Sequence, residues 1–279
     1  MKKVSIMMPA YNAMPLIQAS VDSVMRQTYT NWECIIVDDG SVDGTSAFLD
    51  TLSDSRFIVH HFRTNQGRPK ARQKALDLST GDYVTMLDAE DLMSSDRLEV
   101  QVRFLDEHPD ISLVSSSMCS FGTTTNLLRV RGTDIVHIVD YDGHRCPNHA
   151  SSMLYGEIAR KLRYNPMMKL GQDRDFLERY LNGRSFAELP NVNYYYSEFD
   201  SVTKEKIRRT YKLNAKKYLK ERKIQKSIIA ILKFVYSRLV FPFISIEQIV
   251  SNRGRTLTES EKVAYESDCK AIVQRYINF

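Results

Sequence analysis

Apolar runs of strand length occupy residues 4–8, 34–37, 57–62, 83–87 and 111–115, and the segments between them, 16–27, 45–52, 69–78 and 97–108, carry apolar positions three or four apart. The runs predict buried strands and the spacing predicts amphipathic helices. Strand and helix in strict alternation predict an α/β fold with a mostly parallel, doubly wound sheet. Asp43 stands where it can cap the second helix, and Pro109 stops the fourth.

The pattern weakens after about residue 117. Residues 119–131 are rich in Thr, Ser and Gly, 140–152 are polar and loop-like, 172–181 read as a helix, and Tyr194-Tyr195-Tyr196 read as a late edge strand. Beyond Ser201, Ile207, Tyr211, Leu213, Tyr218 and Leu219 give a rough helical stripe. Ile224, Ile228, Ile231, Leu232, Val235 and Leu239 give a clear one, interrupted by Lys233 and Arg238 and closed near Pro242. The chain therefore divides into a body, 1–203, and a basic amphipathic helical region, 204–279. Apolar on one face, basic on the other and too charged to span, the second helix suits a membrane interface, and it equally suits packing on the body with a solvated basic face. The pattern leaves both open.

The chain of 279 residues is long enough to bury a substantial core, as one large domain or one domain with an appendage. Its net charge of +5 is uneven: residues 204–238 hold 13 Lys and Arg against Glu205 and Glu221, a local +11 that leaves the remainder at −6. A mildly acidic body with a basic tail fits attraction to an anionic membrane surface, and argues against a nucleic-acid-binding fold, whose basic face belongs to the reading element. Cys34, Cys119, Cys146 and Cys269 are far apart, so neither a zinc site nor a disulfide scaffold is indicated and reduced cytosolic thiols are expected. The first apolar run breaks at Pro9, unlike a secretory signal. No run reaches the roughly 18 apolar residues of a spanning helix, so the body is expected in the cytoplasm.

Three predicted strands end in chemistry-bearing residues. The run 83–87 leads into Asp88-Ala89-Glu90-Asp91, 34–37 into Asp38-Asp39-Gly40-Ser41, and 4–8 into Pro9-Ala10-Tyr11-Asn12. In open α/β sheets, ligands bind beyond the carboxyl ends of the strands. A hard divalent ion held there by one or two carboxylates takes its remaining ligands from water and a substrate's phosphates. A phosphate-bearing substrate is implied.

Taken in order with Asn65-x-Gly67, Arg72, Gly81-Asp82-Tyr83 and Arg97-Leu98-Glu99, these motifs resemble the family-2 glycosyltransferases of the GT-A fold, over 1–115 closely and 140–205 more loosely. The resemblance implies a nucleotide-binding half, 1–117, and an acceptor-binding half, 118–203. It implies that Pro9, Tyr11 and Asp39 line the nucleotide pocket, with Tyr11 stacking near a uracil and Asp39 reading its edge, while Asp38 supports the turn. Arg72 would hold Asp39 or a phosphate, or lie on the surface. Asp88 and Glu90 match the family's Asp-x-Asp metal motif, with Glu90 one methylene longer than the usual acid, so Mn²⁺ or Mg²⁺ is the implied cofactor, neutralising a leaving UDP. Asp91 would orient the pair.

Gly171-Gln172-Asp173-Arg174-Asp175-Phe176 resembles the family segment in which an acidic pair opens a helix beside the acceptor, with Gln172 in place of the first acid. Asp173 then aligns with the catalytic base, and the competing reading makes Asp173 the helix cap and Asp175 the base. His149 would contact the acceptor or satisfy a buried carbonyl. Ser197 and Phe199 stand where the family carries Arg and His near the diphosphate, a place Lys204 would fill. The implied activity is inverting transfer of a hexose from a UDP-sugar to a glycan or lipid-diphosphate-linked acceptor, forming a β-linkage, as in bacterial surface-polysaccharide assembly at the inner face of the membrane. The rivals are a sugar nucleotidyltransferase, disfavoured because Pro9-Ala10-Tyr11-Asn12 offers neither Gly nor Lys, and an inactive UDP-sugar-binding partner subunit.

Overall fold

The computed structural model describes residues 1–122, 128–168, 171–198, 204–220, 222, 224–245 and 254–276. The elements follow the chain as β1 (Val4–Ala10), α1 (Leu16–Met25), β2 (Trp32–Asp38), α2 (Thr45–Leu49), β3 (Phe57–His61), α3 (Arg68–Leu78), β4 (Tyr83–Met86), β5 (Leu92–Met93), α4 (Arg97–Glu107), β6 (Ile111–Phe121), β7 (Arg129–Arg131), β8 (His137–Asp140), β9 (Ser152–Tyr155), α5 (Gly156–Ala159), α6 (Gln172–Tyr180) and β10 (Ser185–Ser197). The main sheet runs β3-β2-β1-β4-β9-β6-β10-β5, with β8 beside β10. β3, β2, β1 and β4 are mutually parallel; β9 pairs antiparallel with β4 and β6, and β10 antiparallel with β5 and β8.

The strands lack polar alternation because both faces of the parallel half are covered. Val4, Ile6, Met8, Cys34, Ile36 and Tyr83 face α1, α2 and α4, while Met7, Ile35, Val37, Val84 and Met86 face α3 and α6. Register then fixes the working edge. Ala10 pairs with Asp38, Met7 with Met86, the Leu87 N–H bonds Met7 O and the Asp39 N–H bonds Ala10 O, so the three motif-bearing ends emerge side by side.

Several elements differ from the sequence expectation. The tyrosine triplet lies not on an edge but within the 13-residue β10, between β6 and β5, with Tyr194 and Tyr195 fully buried. Asp43 does not cap α2, whose N-cap is Gly44; its carboxylate ties the turn together by accepting from the Thr45 and Met14 N–H groups. The C-terminal region also divides. The chain forms two compact units, one of Met1–Cys119, Arg131–Tyr196 and Leu257–Phe279, the other of Ser120–Val130 and Ser197–Thr256. Within the first, the helices Glu259–Tyr265 and Ala271–Tyr276, joined by a π-helical turn, return to the body: Asp268 accepts from the Ser95 N–H at 3.1 Å and Arg275 meets Asp22 at 3.2 Å. Within the second, α7 (Lys204–Lys220) and α8 (Ile224–Leu239) pack together.

Arg97, at the start of α4, has no solvent exposure. Its guanidinium donates to Met86 O at 3.0 Å, Thr85 Oγ1 at 2.7 Å and Ala150 O at 2.9 Å, and lies over the Tyr194 ring. Burial pulls its pKa down to about 10, which still leaves it charged near neutral pH. Arg97→Met would strand these acceptors and leave buried Asp91 without its cationic neighbour, so the unfolding free energy should fall by about 3 kcal/mol, read from urea denaturation. A loss under about 1 kcal/mol would show that this network is not holding the fold.

Candidate active site

Beyond the parallel strand ends lies a cleft lined by Pro9, Ala10, Tyr11, Asp39, Asn65, Gly67, Arg68, Asp88 and Glu90 among others. Its walls are stitched loop to loop. Asn12, with φ of 48°, takes a bond from the Val42 N–H on its Oδ1 and donates its own N–H to Ser41 Oγ, leaving the neighbouring Tyr11 ring half exposed at the rim. Gly40 has φ of 72°, and a Cβ there would meet the Thr64 carbonyl carbon at 2.7 Å, so only glycine lets the 38–41 turn close against the segment carrying Asn65.

Asp38 and Asp39 have different tasks. Asp38 is buried beneath the turn, accepting from the Ser41 N–H, Ser46 Oγ and His61; burial pushes its carboxyl up, but these bonds prevail and hold it below the usual range. Asp39 accepts the Gln66 N–H at 2.6 Å on one oxygen and the Gly67 N–H at 2.9 Å on the other, and borders the cleft. A carboxylate oxygen so engaged retains a second lone pair.

Arg72 is neither on the surface nor joined to Asp39. It is 3% exposed, and its Nη2 meets Asp88 Oδ1 at 3.3 Å. Burial raises the Asp88 carboxyl, but Arg72 and Arg68 outweigh it and the net direction is down. Arg72 in turn is pulled down by burial and raised further by Asp88, Tyr164 and Asp173, which places Asp173 in the same electrostatic neighbourhood. The acidic turn itself is pinned: Tyr194 Oη donates to Asp91 Oδ2 at 2.5 Å and accepts from the Asp88 N–H, while Ser20 Oγ bonds the Ala89 and Asp91 carbonyls. Asp91 is thus the buried anchor, and Asp88 and Glu90 border the cleft.

Asp173 opens α6 after Gly171. Asp175, its rival, is engaged along the helix by Arg179 at 2.7 Å. The start of α6 is held by a buried aromatic stack in which Tyr164 lies 4.3 Å from Phe176 and both meet His149 edge-on, with Tyr164 Oη 2.9 Å from His149 Nε2. His149 therefore bonds a phenol and not a carbonyl. Among the described residues its Nδ1, like Arg72 Nε, is buried without a hydrogen-bond partner.

Sequence reasoning missed Arg68, which lines the cleft from the first turn of α3, and Tyr196, whose hydroxyl burial and the acids Asp91, Glu90 and Asp88 push up to about 12. Arg68's place directly after Gly67 was the available signal. Ser197 and Lys204 belong to the second unit, and Phe199 lies outside the described residues. Among the described residues no group of three His, Cys, Asp or Glu side chains is placed to hold a metal. Asp88 and Glu90 fit a hard ion such as Mn²⁺ or Mg²⁺ that takes its other ligands from water and a diphosphate, and lack the ligand number and type of a structural zinc site.

Residues 5–168, more than half of the chain, match the model described as Glycosyl transferase family 2. The chain belongs to glycosyl transferase family 2. TuaG of Bacillus subtilis, named for teichuronic acid biosynthesis, is 42% identical to this family-2 chain over 106 residues, covering 37% of it and 42% of TuaG. WfgD of Escherichia coli, named as a UDP-Glc:alpha-D-GlcNAc-diphosphoundecaprenol beta-1,3-glucosyltransferase, is 39% identical over 102 residues, covering 37% and 40%. The family-2 chain thus spans about two fifths of the length of these curated relatives. S. aureus TarS in complex with UDP-GlcNAc superposes with a TM-score of 0.60 at 19% identity, over 99% of this chain and 82% of that one, which shows the GT-A fold.

His149 gives this site a pH signature. Burial first, then Arg72, lower its pKa to about 3. A histidine whose folded pKa lies below its unfolded value of about 6.5 binds protons more readily when unfolded, so its contribution is intact above pH 6.5 and lost as pH falls from there toward 3. Between pH 7 and pH 5.5 the wild type should lose roughly 1 kcal/mol more unfolding free energy than His149→Gln. Parallel stability curves for the two proteins would refute the neutral, buried imidazole.

Proposed function

We propose that this chain is an inverting glycosyltransferase that transfers a hexose from a UDP-sugar to a glycan or lipid-diphosphate-linked acceptor, forming a β-linkage in surface-polysaccharide synthesis at the inner face of the cell membrane. The observation that carries it is the Asp88–Arg72 pair with Asp173 in the same field, beside a cleft bordered by Tyr11, Asp39 and Glu90. The UDP-GlcNAc complex of TarS and the UDP-Glc-dependent, lipid-linked reaction named for WfgD support donor and acceptor class.

Tyr11 offers an exposed ring face to a pyrimidine, and Asp39 an acceptor to its N–H edge. Arg68 faces the diphosphate. Asp88 and Glu90 would hold Mn²⁺ or Mg²⁺, which when bound neutralises charge on the departing UDP. Asp173 accepts the acceptor hydroxyl's proton as its oxygen attacks the anomeric carbon opposite the leaving group, so a single displacement inverts the configuration.

The test is UDP release from UDP-glucose and UDP-N-acetylglucosamine with Mn²⁺ and a GlcNAc-diphospholipid acceptor. Asp173→Asn should lower kcat by about 10²-fold or more while leaving the calorimetric UDP affinity within about twofold. Glu90→Ala should weaken the metal-dependent part of UDP binding. Tight UDP binding with no turnover on any donor or acceptor would favour the inactive partner subunit instead.

A further inference from the structure

We infer that the outward face of α8 is a docking surface for an anionic lipid bilayer, on which the helix lies flat. Within the second unit, α8 meets α7 through small residues: Ser227, Ala230 and Ser237 are its buried positions, and Ser227 Oγ bonds Ala215 O. The large apolar side chains are on the other side. Ile224, Ile228, Leu232, Val235 and Leu239, spaced four, four, three and four apart, form one stripe and are 68%, 51%, 62%, 45% and 66% exposed. A helix whose apolar face served only α7 would have the reverse arrangement. Within the second unit, this stripe is not the face that α8 turns to α7.

Charge selects the occupant. At helical spacing the exposed Tyr236 and Ile229 widen the apolar arc on one side as far as Lys233 and Lys226, and Arg238 borders the other side, positions from which long cationic side chains reach headgroups while their stems lie along apolar surface. α7 adds Lys204, Arg208, Arg209, Lys212, Lys216 and Lys220 against Glu205 alone. Such a field is complementary to acidic phospholipid. A second copy seated stripe to stripe would set these cationic borders against their own like. The 16 residues of α8 extend about 24 Å, short of a hydrocarbon core of about 30 Å, and no helix among the described residues is long and apolar enough to cross a membrane.

Docking needs no nucleotide, so vesicle partition and UDP turnover fail independently. The full chain should co-sediment with phosphatidylglycerol–phosphatidylethanolamine vesicles at least about tenfold more strongly than with phosphatidylcholine vesicles, and less so as salt is raised. Ile228→Asp/Leu232→Asp should reduce that partition at least about tenfold, with UDP affinity and thermal midpoint unchanged, because both positions are exposed. Lys226→Glu/Lys233→Glu should weaken binding to anionic vesicles only. As a readout that removes nothing, Leu232→Trp emission should shift to the blue on anionic vesicles. No partition onto phosphatidylglycerol vesicles would overturn the proposal. So would a dimer, seen by sedimentation equilibrium, that Ile228→Asp/Leu232→Asp dissolves while vesicle binding is unaltered.

Discussion

A guanidinium without solvent, beneath the acidic turn, is the constraint from which the cleft follows. Burying a charge costs several kcal/mol unless its donors are met and a counter-charge is near. Arg97 meets that demand with acceptors from three places: Thr85 and Met86 on β4, Ala150 before β9, and Gln101 one turn along α4. A one-residue slip of β4 would strand these bonds and also exchange its two apolar faces. Tyr194 stands against the same cation and carries the order outward, joining Asp91 to the Asp88 N–H. The carboxylates that border the cleft are thus aimed by a network that does not itself reach the ligand space.

The second organising element is α3. Arg68 on its first turn reaches the cleft and Arg72, one turn on, is buried behind Asp88, so one helix supplies both the cation facing outward and the cation that keeps a half-buried carboxylate ionised. Asp173 feels the same Arg72 from the start of α6, while Asp175 accepts from Arg179 Nε and Nη2 on its Oδ2. Two acids only two residues apart are therefore given different work by their neighbours, a distinction spacing alone does not make.

The parallel half was legible because β1, β2 and β4 are buried on both faces and read as apolar runs, and the partly exposed edge strand β3 still carries Phe57-Ile58-Val59; all four fall within a few residues of the expected runs. β10 was not. Pro190, Asn191 and Asn193 break its pattern, and its burial rests on polar bonds such as Asn193 to Ser94 and Asp96, which periodicity does not see. Arg72 was left open between Asp39, a phosphate and the surface for the same reason: its partner Asp88 is 16 residues away and on another element. The return of 257–276 carries a local signal in the Thr258–Glu261 capping box, but its attachment through Asp268 and Arg275 is long-range. The stripe on α8 was legible as a pattern, yet which face packs on α7 depended on Ser227, Ala230 and Ser237 being small enough for close approach.

The two departures from the family's acid pattern make physical sense together. The turn carrying Glu90 is fixed from below by Tyr194, Asp91 and Ser20, so its backbone has little freedom to retreat, and an extra methylene extends the carboxylate's reach from the turn without moving its anchor. At the start of α6, position 172 is 5% exposed and 173 partly so. An acid at 172 would be a buried anion needing its own compensation, whereas the amide of Gln172 carries no charge to compensate. The acids left at this helix start are Asp173 and Asp175, and of these Asp175 is the one paired with Arg179.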